Sequence, residues 1–72
     1  MMDKTMSIIR YENTYVSQYD YNFKEIYSTK NRKKALVNYK YAHEELVSRM
    51  KEDGHKQKFV VEPTTKRRGA RT

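Results

Sequence analysis

The chain of 72 residues has no cysteine and no tryptophan, and it has only two glycines and one proline. Without cysteine, neither a disulfide framework nor a thiolate metal site can stabilise so small a chain. The isolated glycines Gly54 and Gly69 exclude a glycine-rich phosphate-binding loop. No apolar run approaches the ~18 residues of a membrane-spanning helix, and the N-terminus lacks the apolar stretch of a signal peptide. We therefore expect a cytoplasmic protein without cofactor, bound metal or membrane segment.

Catalytic groups are equally scarce. The only histidines are His43 and His55, and no serine or threonine lies in a glycine-flanked nucleophile turn. His43 falls on the apolar side of a predicted helix, where a histidine is more often a core residue than a general base. His55 follows Gly54 in a predicted solvated turn. We predict a protein that is not an enzyme, and a small metal-independent ribonuclease using lysine, arginine, tyrosine and histidine is the enzymatic alternative.

Apolar residues supply only a small core, since hydrophobic residues make up 36% of the chain and charged residues 35%. Seven tyrosines and two phenylalanines must provide much of that core. We predict one small domain over residues 1–63. A homodimer that completes the core is compatible with this composition, although nothing in the sequence specifies it.

The clearest periodicity lies in residues 31–53, for which we predict one long amphipathic helix. At about 100° per residue, its apolar side chains fall on one broad stripe. The stripe consists of Ala35, Leu36, Tyr39, Ala42, His43, Leu46, Val47 and Met50. Thr29 or Asn31 can cap the start of this helix, and Asp53-Gly54 supplies its stop.

The N-terminal part of the chain is rich in β-branched and aromatic side chains, which favour strands. We predict that Met6–Tyr11 and Thr14–Tyr19 form a hairpin around Glu12-Asn13, with the asparagine suited to the turn. A helix over residues 8–27 is the alternative, because aromatic residues recur there every four positions.

Two assignments complete the fold. Tyr21–Tyr27 fits a strand and a short helix capped by Asp20 equally well, the helix burying Phe23, Ile26 and Tyr27. Gln57–Glu62 is predicted to be a strand closed by Pro63, and residues 64–72 a disordered basic tail. The predicted fold is α+β, a small antiparallel sheet packed on one long amphipathic helix.

Positive charge is concentrated in two blocks. Sixteen lysines and arginines against nine acids give a net charge of +7. Residues 30–43 hold five cations and no acid, and residues 54–72 hold six cations and one acid. Cations at the start of a helix oppose its macrodipole, so the first block indicates an anionic partner.

We predict that the two blocks bind nucleic acid, with cations on phosphates and one exposed tyrosine stacked on an unpaired base. The predicted binding residues are Lys30, Arg32, Lys33, Lys34, Lys40, Tyr41, Lys66, Arg67, Arg68 and Arg71. Tyr41 lies off the apolar stripe, whereas Tyr39 is predicted to be core. The alternative is that Tyr41 covers the sheet edge and the lysines form an ordinary solvated face. If the last strand returns antiparallel to the helix, the tail emerges near the helix start and the two blocks merge.

No motif of the familiar nucleic-acid-binding modules is present. In its basic charge, shortness and tyrosine content, the whole chain resembles the accessory proteins of large lytic phages of the T-even type. This resemblance implies an action on host RNA metabolism, tRNA or a toxin ribonuclease in the host cytoplasm. It assigns no functional residue.

The predicted function is a non-enzymatic, nucleic-acid-binding accessory protein. RNA is favoured over DNA because the aromatic residues suit unstacked bases and no groove-reading pair of helices is evident. The alternative is a small protein-binding inhibitor whose basic blocks dock on an acidic surface of a host enzyme or ribonucleoprotein.

Overall fold

The computed structural model describes residues 5–64 of the chain. As predicted, one helix packs against a small antiparallel sheet in an α+β arrangement. The elements are β1 (Met6–Tyr11), β2 (Thr14–Asp20), β3 (Glu25–Thr29), a 3-10 turn (Arg32–Lys34), β4 (Asn38–Tyr39), α1 (Lys40–Glu52) and β5 (Val60–Pro63). Apart from Thr64, the predicted disordered tail lies outside the described residues. Between residues 5 and 64, no helix is long and apolar enough to cross a membrane.

Strand β1 is the centre of the sheet, and all its pairings are antiparallel. Arg10 pairs with Tyr15 of β2 and with Val60 of β5, so β2 and β5 lie on opposite edges of β1. Ser7 likewise pairs with both β4 and β5. Strand β4 therefore shares with β2 the edge opposite β5, and β3 extends the sheet beyond β2.

The first hairpin is confirmed, since Tyr11 of β1 pairs with Thr14 of β2 across the predicted turn. The residue in the left-handed conformation is Glu12, with a φ of 52°, and not Asn13. Left-handed backbone is costly for a residue with a Cβ, and asparagine tolerates it better than glutamate. The pairing of the two strands therefore determines the backbone conformation of this turn, although Glu12 by itself disfavours that conformation.

Residues 21–27 form a turn and the start of a strand, and not a helix. Asp20 caps the turn, since its Oδ1 accepts hydrogen bonds from the backbone N–H groups of Asn22 (2.9 Å) and Phe23 (3.1 Å). Ile26 packs against the core, but Phe23 is 75% exposed and Tyr27 is also exposed. Of the two alternatives for this segment, the strand is therefore found over its second half, and the short helix with a buried face is not.

The main helix begins at Lys40 and not near residue 31. Ahead of it, Asn31 accepts a hydrogen bond from the backbone N–H of Lys33 (2.9 Å) and starts only a 3-10 turn. The N–H of Leu36 then donates to the carbonyl of Val16 in β2 (2.9 Å). This segment bonds to the sheet because three cations in one turn oppose the helix dipole and the sheet offers partners for its backbone.

The core lies between the sheet and the confirmed part of the apolar stripe, in which α1 buries His43, Leu46 and Met50. The buried members of the core cluster are Ile9, Val16, Tyr19, Leu46 and Met50. Tyr39 was predicted to be core but is only half-buried. It belongs to β4, so its side chain does not follow the helical period.

Helix α1 stops where the sequence predicts. Gly54 has a φ of 106°, a conformation open to glycine, and the N–H of His55 donates to the carbonyl of Met50 (3.0 Å). The chain then returns along β1 as β5, which begins at Val60, later than the start predicted at residue 57. The antiparallel return brings the end of β5 to the start of β1.

Candidate nucleic-acid interface

The first basic block runs from the end of β3 to the first residue of α1, and its cationic side chains are all exposed: Lys30, Arg32, Lys33, Lys34 and Lys40. The 3-10 turn carries three of them, and strand β4 connects that turn to the helix. Among residues 5–64, Lys30, Lys34 and Lys40 make no ion pair. Their charges are therefore available to a ligand.

The root of the tail lies at the same end of the sheet as the start of α1. The backbone N–H of Thr64 donates to the carbonyl of Met6 (3.0 Å), and that of Lys40 donates to the carbonyl of Thr5 (2.9 Å). Since Thr5 and Met6 are adjacent, β5 ends and α1 begins at the same end of the sheet, on opposite edges of β1. The chain does not leave β5 beside Glu52, at the other end of the helix. The predicted tail residues Lys66, Arg67, Arg68 and Arg71 lie outside the described residues.

Two arginines are fixed around one carboxylate in a group that we name the Glu62 cluster: Arg10, Tyr15, Arg32 and Glu62. Arg10 Nε donates to Glu62 Oε2 (2.5 Å), and Arg32 Nη1 donates to Glu62 Oε1 (3.2 Å). The Arg32 guanidinium carbon lies 5.8 Å from the centre of the Tyr15 ring. The hydrogen bond from Arg10, followed by that from Arg32, holds the pKa of Glu62 below its usual value. The cluster keeps one net positive charge.

Arg32 is therefore partly committed to partners within the protein, which the sequence did not predict. Sequence reasoning also missed Arg10 and Tyr15. The hairpin register carried a usable signal, because a turn at Glu12-Asn13 pairs Arg10 directly with Tyr15 on one sheet face. Glu62 could not be added without knowing where β5 pairs.

Tyr41, the predicted stacking residue, is half-buried in the first turn of α1. Its ring lies 5.7 Å from that of Tyr39, and the two planes are nearly parallel at 8°. The structure thus places two tyrosines in a stack beside Lys40, where the sequence predicted one exposed ring and one core residue.

His43, the candidate base of the ribonuclease alternative, is only 1% exposed. The hydroxyl of Ser7 donates to the carbonyl of Asn38 (3.1 Å), so His43 Nδ1–H donates to the Ser7 hydroxyl oxygen (2.9 Å). Its Nε2 has no hydrogen-bond partner among residues 5–64. Burial lowers the pKa of His43 to about 4, so the ring is neutral at pH 7. A general base must reach its substrate, and this side chain is almost completely buried.

His55 was predicted to be a solvated turn residue but is half-buried and bonded. Its Nε2–H donates to the carbonyl of Lys24 (2.7 Å), and its ring packs edge-on against Tyr19 with centroids 5.9 Å apart. This contact ties the end of the helix to the turn between β2 and β3.

A second group, the Asp53 cluster, closes the C-terminal end of α1 and consists of Tyr19, Tyr21, Arg49 and Asp53. The buried Tyr19 hydroxyl donates to Asp53 Oδ2 (2.5 Å), and Arg49 Nε donates to the same atom (3.3 Å). Burial first, and then the hydrogen bond to Asp53, raise the pKa of Tyr19 to about 12. The Tyr19 hydrogen bond is also the main cause that lowers the pKa of Asp53. This cluster carries no net charge.

The described residues hold no group of three or more histidine, aspartate or glutamate side chains that could bind a metal ion. Comparison with protein families, with curated proteins and with solved structures found no match to this chain.

Proposed function

We propose that this protein is a non-enzymatic accessory protein that binds nucleic acid, RNA in preference to DNA, through the surface at the start of α1. The observation that carries the proposal is the pair of backbone hydrogen bonds from Lys40 and Thr64 to the adjacent residues Thr5 and Met6. They place Thr64, after which four cations follow in the sequence, at the same end of the sheet as Lys40. In this proposal the cations of residues 66–71 and the first basic block contact the same ligand.

Charge and ring geometry support an RNA ligand. Lysines without ion pairs can meet phosphates and release the counterions that these carry. The Tyr39–Tyr41 stack lies next to Lys40, and the outer face of one of its rings would suit an unstacked base of a single strand. The bases of duplex DNA are already stacked and paired, so duplex DNA would bind only through contacts between its phosphates and the lysines.

The test is a titration of fluorescein-labelled single-stranded RNA with the full chain at several salt concentrations. We expect affinity to fall steeply with salt, because each phosphate contact on a single strand contributes ~0.7 to the slope of log K against log salt. The double variant Lys34→Gln/Lys40→Gln should reduce that slope by roughly 1.4. Duplex DNA of equal charge should bind more weakly than the single-stranded RNA.

The matched control is Lys51→Gln/Lys56→Gln, which removes two exposed lysines at the other end of the helix. It changes the net charge by the same amount and should leave the salt slope nearly unchanged. If both double variants lowered the salt slope equally, net charge and not the position of the lysines would govern binding. Absence of RNA binding at low salt would refute the proposal.

A second candidate function, a small inhibitor that docks on another protein, is supported by the aromatic residues of the β2–β3 hairpin. Phe23 and Tyr27 are both exposed, and large exposed aromatic side chains are enriched in protein interfaces. The resemblance to phage proteins suggests a host ribonucleoprotein or toxin ribonuclease as target, which stays a prediction. Capture from nuclease-treated host lysate, abolished by Phe23→Asp and retained by Lys34→Gln/Lys40→Gln, would favour this candidate.

A further inference from the structure

A cleft of about 380 Å³ lies against the side of α1, next to the basic surface. It is lined by Tyr21, Leu36, Asn38, Ala42, His43, Glu45, Leu46 and Arg49. Leu36 follows Lys34 by two residues, and Asn38 precedes Lys40 by two. Since consecutive Cα atoms are ~3.8 Å apart, Leu36 is within roughly 8 Å of the Lys34 backbone, and Asn38 is within roughly 8 Å of the Lys40 backbone. A strand bound to those lysines would therefore lie close enough to place one base in the cleft.

The apolar part of the cleft fits an aromatic ligand. Leu36, Ala42 and Leu46 supply aliphatic surface. Tyr21 is 54% exposed, and its ring is held at right angles to that of Tyr19, with centroids 5.2 Å apart. The Arg49 guanidinium carbon lies 5.6 Å from the centre of the Tyr21 ring. Ring faces and guanidinium planes are the surfaces on which single-stranded nucleic acids stack their bases.

The polar groups of the cleft are of two complementary kinds. Glu45 is exposed and makes no ion pair with any residue from 5 to 64, so its carboxylate is an open acceptor. Asn38 uses its Oδ1 to accept a hydrogen bond from the backbone N–H of Tyr39 (2.8 Å). This fixes the amide and leaves its Nδ2–H groups as donors. A ligand must therefore present donors to Glu45 and an acceptor to Asn38.

We propose that this cleft binds one unstacked guanine base of single-stranded RNA. Guanine is the base whose Watson–Crick edge carries two adjacent donors, N1–H and N2–H, for which a carboxylate is the matching bidentate acceptor. Glu45 accepts from both, Asn38 Nδ2 donates to O6, and the base stacks on Tyr21. The inference rests on the proposed RNA-binding function and adds a base preference to it.

The probes are three labelled RNA hexamers: hexaadenylate, the same hexamer with guanosine at its third position, and the same with inosine there. All three carry the same phosphates, so the salt-dependent part of binding cancels between them. We expect the guanosine hexamer to bind about tenfold more tightly than hexaadenylate, as one bidentate base contact provides. Inosine lacks the N2 amino group and should bind with intermediate affinity.

Glu45→Gln is the decisive variant, and Glu44→Gln is its control. Both residues are exposed on α1, and only Glu45 lines the cleft. Each substitution removes one negative charge and should strengthen binding of hexaadenylate by a similar small factor. Only Glu45→Gln should abolish the tenfold preference for guanosine.

A second pair of variants tests stacking. Tyr21→Leu should weaken binding of the guanosine hexamer severalfold, and Tyr27→Leu, an exposed tyrosine outside the cleft, should not. Equal affinity of the unmodified protein for all three hexamers would refute the guanine site and leave RNA binding standing. A preference that survives Glu45→Gln would likewise refute it. No binding of any hexamer at low salt would refute both the site and the function on which it rests.

Discussion

The Asp53 cluster lies at the C-terminal end of α1 and the Glu62 cluster on the sheet face turned away from α1, and the two use the same kinds of side chain in different ways. In the Glu62 cluster Arg32 lies 5.8 Å from the Tyr15 ring, and in the Asp53 cluster Arg49 lies 5.6 Å from the Tyr21 ring. Each arginine also pairs with a carboxylate. The Asp53 side chain is 8% exposed, whereas that of Glu62 is 24% exposed.

Burial and charge balance therefore separate the two clusters, although their contacts are alike. Asp53 accepts from the buried hydroxyl of Tyr19 and follows the last residue of α1, so its cluster is part of the packing. Glu62 balances only one of two arginines, at the surface where the tail begins. We infer that the Tyr19–Asp53 contact mainly stabilises the fold, whereas the exposed members of that cluster, Tyr21 and Arg49, line the cleft. The Glu62 cluster mainly leaves positive charge for a ligand.

Lowering the pH protonates the carboxylates of both clusters, but the protonation of His43 affects stability at a higher pH. Its ordinary pKa of 6.5 is lowered to about 4 by burial, so between these values the unfolded chain binds a proton that the folded chain does not. The contribution is complete above pH 6.5 and declines as pH falls. We expect the free energy of unfolding to drop by roughly 3 kcal/mol from pH 6.5 to 4.

Urea unfolding at a series of pH values measures this slope. His43→Gln should remove it, whatever the variant does to the absolute stability. In this variant, the loss of stability that remains below pH 4 comes from Asp53 and Glu62. Their pKa values are lowered in the folded protein, so they stay charged and stabilising to a lower pH. A wild-type stability that stays flat from pH 6.5 to 5 would contradict the burial of a neutral His43.

Removing one hydroxyl from each cluster gives the next largest effect. Tyr19→Phe leaves Asp53 without its buried donor and should lower the free energy of unfolding by about 1.5–2 kcal/mol. Tyr15→Phe keeps the ring under Arg32 at a partly exposed site and should cost no more than about 0.5 kcal/mol. Urea unfolding at pH 7 compares the two, and equal losses would contradict the distinction between the clusters.

Neutralising each carboxylate should separate stability from binding. Glu62→Gln releases Arg10 and Arg32 and should raise affinity for hexaadenylate about threefold at low salt. Its effect on stability should be only about 0.5 kcal/mol. Asp53→Asn should lower the melting temperature and leave that affinity almost unchanged. If both variants changed affinity equally, net charge and not the position of the charge would govern binding.

The helix illustrates how far local sequence predicts this structure. Leu46 and Met50 follow a 3.6-residue period and are buried as that period requires. Leu36 and Tyr39 fit the same period, but their segment bonds to β2 and β1. Those partners are distant in sequence, so no local pattern could reveal that the helix starts at Lys40.

The candidate site, like the helix, could be predicted only in part from the sequence. Charge alone predicted the exposed lysines, and an antiparallel last strand was the stated condition for bringing the tail root to the helix start. The Glu62 cluster required the pairing of Arg10 with β5, and the cleft required the packing of Tyr21 near Glu45. Both depend on how segments distant in sequence pair and pack, and the types of the individual residues do not reveal this.

The smallest predicted effect concerns the turn of each hairpin, since Glu12 and Lys24 take left-handed φ values of 52° and 57°. Glycine accepts this backbone without steric cost, so Glu12→Gly should stabilise the fold by about 0.5 kcal/mol. Asn13→Gly is the control, because φ at that position is not positive and glycine only adds freedom to the unfolded chain.

Lys24→Gly should gain less than Glu12→Gly. The Lys24 carbonyl accepts the His55 hydrogen bond (2.7 Å), so this turn is held in place by the end of the helix, next to the Asp53 cluster. Glycine would relieve the backbone and also loosen that attachment, and the two effects oppose each other. Urea unfolding of both variants measures the difference. A larger gain in stability for Lys24→Gly would mean that the His55 hydrogen bond strains the turn. The region around the Asp53 cluster would then be less well packed than its burial indicates.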